Sequence, residues 1–343
     1  MIECVVFDKN LNQKDIIPFG SAKITPHIFD YQPFEIQTPA VLTAGGFLTF
    51  MENREPLFSG YITEAEKSGN DYTYKGYDLK YVLDGIQDFT IYDPVLGITP
   101  VQGNVYNTQG GYVIERAVLS AFPGVTLEYA DMSTFKFYTS YVRIKSQYEV
   151  CRDVCFDGNK WYEFFITGNG KIRLKIKDIR DLSASIVLLT DITHTEVSTV
   201  SSIKEKYNQI LGLGSGEDSE RDYYFRDDSN GERPKCYVYD LRENITHTEL
   251  VRRTNVKFSE LKFQYEKTFK ILDNNVSQFG RDYGLGDYVT FKSETGETFS
   301  DLITMNRIEI KNGVVSGNLE IVTGLIKNTL TDKIKELKEG GTK

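Results

Sequence analysis

Two regions of the chain alternate apolar and polar residues at period two, and between them the period lengthens to that of a helix. The clearest alternation is Lys171-Ile172-Arg173-Leu174-Lys175-Ile176. Its partner arm is Trp161-Tyr162-Glu163-Phe164-Phe165-Ile166, and Gly168-Asn169-Gly170 turns the chain between them. This predicts a β-hairpin with one solvated face and one face on a core. Residues 57–62 and 72–77 predict two further strands, joined through Ser68-Gly69-Asn70-Asp71. Cys4-Val5-Val6-Phe7 and Phe47-Leu48-Thr49-Phe50 add short apolar runs. Pro26, Pro33 and Pro39 exclude a continuous helix across the stretch between those runs. A second β-rich region covers residues 256–324. Strands are expected at 260–263, 288–291, 302–310 and 314–322, with Asn312-Gly313 as a hairpin turn. Residues 208–213 predict one more strand, and the charged stretch 217–235 reads as a hairpin with a polar tip.

Helical spacing appears at Val113, Ile114, Ala117, Val118 and Ala121, closed by Pro123-Gly124. It appears again over 146–156, where Tyr148, Cys151, Val154 and Cys155 share a face. Residues 78–84 predict one or two helical turns ending at Gly85. At the end of the chain Ile326, Leu330, Ile334 and Leu337 form a stripe over 325–338.

Composition narrows the function classes. The 343 residues are 40% hydrophobic and 26% charged, enough for two or three soluble domains. An aromatic share of 13%, from 22 Tyr and 21 Phe, favours half-buried sheets and suits protein contacts. A net charge of −9 argues against wrapping nucleic acid, which needs a basic face. The N-terminus has no basic n-region or cleavage site. The apolar run at Ile186-Val187-Leu188-Leu189 is too short to span a bilayer, so stable membrane insertion is not expected.

The candidate chemistry is thin. Cys4, Cys151, Cys155 and Cys236 are too dispersed for a disulfide framework. His27, His194 and His247 show no ligand spacing, so Cys151 and Cys155 read as buried thiols rather than metal ligands. A thiol peptidase pairing either cysteine with His194 or His247 is the enzymatic alternative. Gly212-Leu213-Gly214-Ser215-Gly216 follows a strand as a phosphate loop does, but acids come next where a helix should open, and no Lys-Ser/Thr follows. Asp227-Asp228-Ser229-Asn230-Gly231 fails as a calcium loop, because Arg226 and Tyr237 occupy the required carboxylate positions. The 49 acids leave a glycosidase pair open. No catalytic, cofactor-binding or metal residue is assigned.

Several stretches together resemble phage tail hub proteins. Pro56-Leu57-Phe58-Ser59-Gly60-Tyr61-Ile62 followed by Gly76-Tyr77-Asp78-Leu79 is similar to their opening strands. The hairpin and Arg180-Asp181-Leu182-Ser183 resemble the hairpin and Asp-Arg-Ser link that follow, with Leu182 in place of the arginine. Tyr207 to Gly214 with Arg221, then Tyr283-Gly284-Leu285-Gly286-Asp287-Tyr288-Val289, then Arg307-Ile308-Glu309-Ile310 complete the series. The family is the tail-associated hub type of siphophages and prophages, related to the contractile-phage baseplate hub.

The resemblance implies an α+β, mainly β fold: two related small β-barrels, an inserted α+β domain, a further polar insertion and a C-terminal helix. The implied bounds are 1–90 for the first barrel, completed by about 196–216, and 91–195 for the inserted domain. The polar insertion takes 217–255, the second barrel 256–324, and the helix and tail 325–343. A homotrimer is implied, forming a ring that docks on the distal tail or tail tube protein. Tape-measure protein and other tail-tip or receptor-binding proteins are the further partners, and phage DNA passes the channel without specific binding. The chain stops at Lys343, so the peptidoglycan-degrading or receptor-binding extension of many relatives is expected to be absent or on another protein.

The expected role is therefore structural, in the virion tail tip. A cell-wall hydrolase or a carbohydrate receptor-binding module using Trp161 are the rivals. The corner at 279–291 is read as the start of a main strand of the second barrel, with architectural glycines and Asp287 capping the turn.

Overall fold

The computed structural model describes residues 1–85, 104–105, 108–132, 136–137, 140–141, 146–190, 193–201, 207–216, 221–231, 233–242, 245–262, 265–272, 277–292, 296, 298–315 and 319–324. The helix expected at 325–338 lies outside them. The chain is mainly β with few helices and divides into two compact units. The first takes Met1–Glu196 and Phe269–Val322. The second is described over Val197–Thr268 and at 323–324.

The first unit begins with β1 (Ile2–Phe7), β2 (Gln13–Ile17), β3 (Ser21–Ile24), β4 (Pro33–Thr38), β5 (Phe47–Glu52), β6 (Glu55–Ser68) and β7 (Asp71–Asp78). They pair antiparallel in the order β3-β4-β7-β6-β5-β1-β2. Helix α1 (Lys80–Asp84) follows and stops at Gly85. The run Cys4 to Phe7 is apolar throughout because both faces of β1 are covered. Cys4 and Val6 enter one core with Phe34, Ile36, Phe50 and Ile62. Val5 and Phe7 enter another, shared with the segments that come next.

Those segments are β8 (Asn104–Val105), β9 (Thr108–Gln109), α2 (Gly110–Ala121), β10 (Thr126–Met132), β11 (Lys136–Phe137), β12 (Ser140–Tyr141), α3 (Gln147–Asp157), β13 (Lys160–Gly168) and β14 (Lys171–Asp178). Helix α3 starts on a complete capping box: Ser146 N–H donates to Glu149 Oε2 at 2.9 Å, and Glu149 N–H donates to Ser146 Oγ at 3.2 Å. The hairpin β13–β14 forms as the alternation requires, with Ile172, Leu174 and Ile176 fully buried. β10 adds to β14 in parallel. The apolar stripes of α2 and α3 meet the inner face of the hairpin and the Val5 side of the first sheet in one core. The helices and hairpin therefore share a core with that sheet.

After the hairpin come β15 (Arg180–Asp181), β16 (Val187–Leu189) and β17 (His194–Ser201). The second unit then supplies β18 (Gln209–Leu213), β19 (Tyr223–Asp227), β20 (Cys236–Asp240) and α4 (His247–Lys262). The chain ends its described course with β21 (Tyr265–Ile271), β22 (Asp287–Lys292), β23 (Thr298–Lys311), β24 (Val314–Val315) and β25 (Glu320–Gly324).

β23 changes partners along its length. Leu302 to Thr298 pair with β22, and Ile308 to Lys311 pair with β3. A third apolar core gathers Phe269, Val289, Phe291, Ile303 and Ile321, with the Phe269 and Phe291 rings stacked at 4.3 Å. The stretch Arg180-Asp181-Leu182-Ser183, which resembles the family's link, opens with a strand: β15, and β16 after it, run parallel beside β22, pairing Arg180 with Asp287 and Leu188 with Phe291. Two-residue polar strands carry no periodicity of their own, so only a long-range partner makes them strands.

In the second unit β18 lies between β19, antiparallel, and β20, parallel. The charged stretch expected as a hairpin is thus split: β19 and β20 flank β18 and do not pair with each other. The strand 208–213, expected to complete the first barrel, has these two neighbours. Of the strand expected at 260–263, residues 260–262 are the last turn of α4 and 263 lies outside the described residues. Leu250, Thr254, Phe258 and Leu261 recur at helical spacing and are buried. Thr246-His247-Thr248-Glu249 is the sequence pattern of a capping box, and Glu249 N–H donates to Thr246 Oγ1 at 3.3 Å. A Cβ on Gly212 would sit 2.0 Å from Thr254 Oγ1, so Gly212 serves close helix–sheet packing and not a phosphate.

Candidate functional site

An open cleft of about 750 Å³ in the first unit is lined by β13, β14 and the corner that starts β22. Arg180 and Asp287 form its floor. Arg180 Nε donates to Asp287 Oδ1 at 2.7 Å, and its terminal nitrogen donates to Oδ2 at 2.6 Å. Asp287 Oδ2 also accepts the Gly284 N–H at 2.8 Å. Asp287 is therefore the turn cap that was expected, and an ion-pair anchor besides. The carboxylate holds the Arg180 guanidinium above its usual pKa. Leu182 packs on the apolar core beside β22. Asp181 accepts from the Ser183 backbone N–H and hydroxyl, which lower its pKa.

The cleft wall is charged but internally paired. Lys177 reaches Glu163 at 2.9 Å and lies over the Trp161 ring at 4.8 Å. Lys160 pairs with Asp178. Trp161 is only 3% exposed; it lies on the cleft face of the hairpin, opposite the core residues Tyr162, Phe164 and Ile166, and Lys177 and the Gly286 corner cover it, so it offers no open face to a sugar. Its Nε1 has no hydrogen-bond partner among the described residues. The reason lies in the corner: Gly286 has φ +83°, and its missing side chain leaves room for the indole.

A buried polar cluster sits nearby, around α1. Lys80, 5% exposed, donates its Nζ to the His27 carbonyl and its backbone N–H to Asp78 Oδ1 at 2.9 Å. His27 Nδ1 accepts backbone N–H groups from Phe29 at 3.0 Å and Asp30 at 2.7 Å, which favours a neutral ring protonated at Nε2. Asp30 accepts the Tyr148 hydroxyl at 2.5 Å, tying the cluster to α3. Burial lowers the His27 pKa from 6.5 to about 4. Burial raises Asp78 from 3.8 to about 6, against the attraction of Lys80.

The two shifts oppose each other. His27 contributes stability above its unfolded value of 6.5, lost as pH falls toward 4. Asp78 contributes stability below 3.8, lost as pH rises through about 6. His27→Asn keeps an acceptor near the Nδ1 position and removes the titration. Relative to wild type it is expected to gain about 2–3 kcal/mol between pH 7 and pH 4. Urea unfolding at both pH values measures this, and parallel profiles for the two chains would refute it.

The other candidates have structural roles. Cys151 and Cys155 are buried, and desolvation raises both thiols far above their ordinary pKa. In dilute native protein iodoacetamide is expected to modify Cys236, which is exposed, and to spare Cys4, Cys151 and Cys155 until urea is added. Peptide mass mapping reads this, and native labelling of Cys151 would contradict it. His247 bonds to Asp222 at 2.9 Å on the surface. Asp227 accepts the Ser229 N–H, and Asp228 pairs with Arg226, so the failed calcium loop is a turn. Among the described residues no group of His, Cys, Asp and Glu has the geometry of a metal site. No described helix is long and apolar enough to cross a membrane.

A family model described as Siphovirus ReqiPepy6 Gp37-like protein matches residues 33–324, from the start of β4 to the end of β25. The chain belongs to this family. No curated protein matches it. Among solved structures it is similar to the 43 kDa tail protein of prophage MuSo2 from Shewanella oneidensis. The TM-score is 0.62 at 13% identity, over 94% of this chain and 98% of that one. It is also similar to the tail protein from Neisseria meningitidis MC58, with TM-score 0.63, 9% identity and coverage of 94% and 96%. Prophage tail protein gp18 from Listeria monocytogenes EGD-e gives 0.54 at 11% identity, covering 98% of both chains. At these identities the likeness is one of fold.

Within the Gp37-like chain, the tyrosine-glycine corner and the Gly76-Tyr77-Asp78-Leu79 stretch, quoted above for their resemblance, both carry polar anchors. Asp287 meets Arg180, and Asp78 meets Lys80. Neither partnership was read from sequence. The only available signal was a lone acid beside a glycine turn, which does not name its partner.

Proposed function

We propose that this Gp37-like protein is a structural component of a phage or prophage tail, acting as the hub at its tip. The observation that carries the reading is a fold shared over nearly the whole chain with three tail proteins, two of them from prophages. The polar groups support it, since Arg180, Asp287, Glu163 and Lys80 hold elements together. Such a role needs no catalytic centre. Two related barrel-like β units, one on β1–β7 and one on β22–β25, would stand side by side in each chain. Three chains would then present six units to a tail tube or distal tail protein. The hub would carry tip proteins below and receive the tape-measure protein above. DNA would pass a channel that the net charge of −9 keeps from sticking.

The test mixes the purified chain with the tail tube or distal tail protein encoded beside it. Capping of tube ends by a threefold particle in electron images is the expected result. Free tube ends at saturating protein would refute the hub reading. Release of soluble fragments from peptidoglycan by the same preparation would favour a hydrolase instead.

A further inference from the structure

The sheet of the second unit buries one face under α4, and among the described residues nothing packs on the other. Ile210 and Gly212 point toward the helix, so Leu211 and Leu213 point away. On the flanking strands Tyr223, Phe225 and Val238 are 64%, 47% and 54% exposed. Register aligns Phe225, Leu211 and Val238 in one row across the three strands, and Tyr223 sits beside Leu213 in the next. Scattered apolar residues on a surface need no explanation, but five contiguous aromatic and aliphatic side chains over the middle of this face, bordered by Asp227, Gln209 and Asp240, mark a contact. Its aromatic content is that of an interface centre.

We propose that this face joins copies of the chain, three sheets packing around a common threefold axis. The inference rests on the trimeric reading above and adds the surface that would hold the trimer. Three strands spaced at about 4.8 Å give a face about 10 Å wide, and sheets pack about 10 Å apart. Three such faces close a triangular prism whose centre their side chains fill. The β19 edge of each copy then meets the β20 edge of the next. Phe225 lies against Val238 of the partner subunit, which extends the apolar row around the axis. Asp227 and Asp240 stand at opposite ends of the sheet, because β19 and β20 run in opposite directions, so the acids stay apart, and Arg221 and Arg242 already hold the Asp240 carboxylate. A twofold stack would bury the same row, and the number of chains separates the two geometries.

The test is the mass of the full chain in solution by light scattering over a range of concentrations. Wild type is expected as three chains. Phe225→Glu and Val238→Glu are expected as single chains, with an apparent dissociation constant raised about 100-fold or more and an unchanged circular dichroism spectrum, since both side chains are exposed. Cys236 lies on the same face. Its alkylation is expected to slow as wild-type concentration rises and to be independent of concentration in Phe225→Glu. Variants that remain three chains would overturn this surface and leave the trimeric reading standing. A wild-type mass of two chains would overturn the threefold arrangement. Single wild-type chains at every concentration would remove the trimeric reading itself.

Discussion

Gly286→Val is expected to cost about 4 kcal/mol or more, enough to unfold a chain of ordinary stability. Two effects add. The backbone at 286 has φ +83°, which a β-branched residue adopts only under strain. A Cβ there would stand 2.2 Å from Trp161 Nε1 and 2.8 Å from Cδ1. The indole cannot retreat easily, because it is 3% exposed and Lys177 covers it. The corner cannot move freely either: Gly286 N–H donates to Ile303 O at 2.9 Å, and Gly286 O accepts from Arg180 N–H at 3.0 Å. Gly284→Ala is the control. A Cβ there meets nothing within 4 Å, and its φ is not in the left-handed region, so it is expected to change stability by under about 0.5 kcal/mol. Thermal and urea unfolding compare the three chains. A Gly286→Val chain as stable as wild type would show that the corner is not the fixed point described here.

Lys80→Met is the second large effect, at about 3–5 kcal/mol. Methionine fills much of the same volume but leaves Asp78 buried without its cation and the His27 carbonyl without its Nζ donor. The Tyr162 ring also loses the ammonium lying 5.6 Å from its centre. The sign with pH follows from Asp78. Its carboxyl takes up a proton below about pH 6, and the uncompensated charge then disappears. The deficit of Lys80→Met should therefore shrink between pH 7 and pH 4.5. Urea midpoints at the two pH values test this. A deficit independent of pH would mean that lost packing, not the stranded carboxylate, dominates.

The two predictions differ in how far the sequence reaches them. The corner at 279–291 is recognisable as a glycine turn feeding a strand. Gly284 and Gly286 look equivalent there, yet of the two only Gly286 has positive φ and an indole against it. The residue that makes the difference is 125 positions earlier in the chain, by the numbers 286 and 161. Lys80 and Asp78 read as an ordinary charged pair beside a helix start. Nothing local says that His27 and Tyr148 close over them.

The sequence by itself determined the elements whose instructions are local. Alternation and a glycine-asparagine turn specify the β13–β14 hairpin. Helical spacing and Ser146-x-x-Glu149 specify α3, and the same signals were present for α4 in Thr246-x-x-Glu249 and the Leu250 stripe. These patterns act between residues a few positions apart, so the chain expresses them before it packs. Only the tertiary structure decided which strands are neighbours. It placed β15 beside β22, divided β23 between β22 and β3, and put β19 and β20 on either side of β18. Backbone hydrogen bonds between strands carry no record of side-chain identity, and a two-residue polar strand has too little pattern to name its partner. Pairing is settled by what the assembled cores bury, and at Arg180 and Asp287 by charges that meet only once those cores exist.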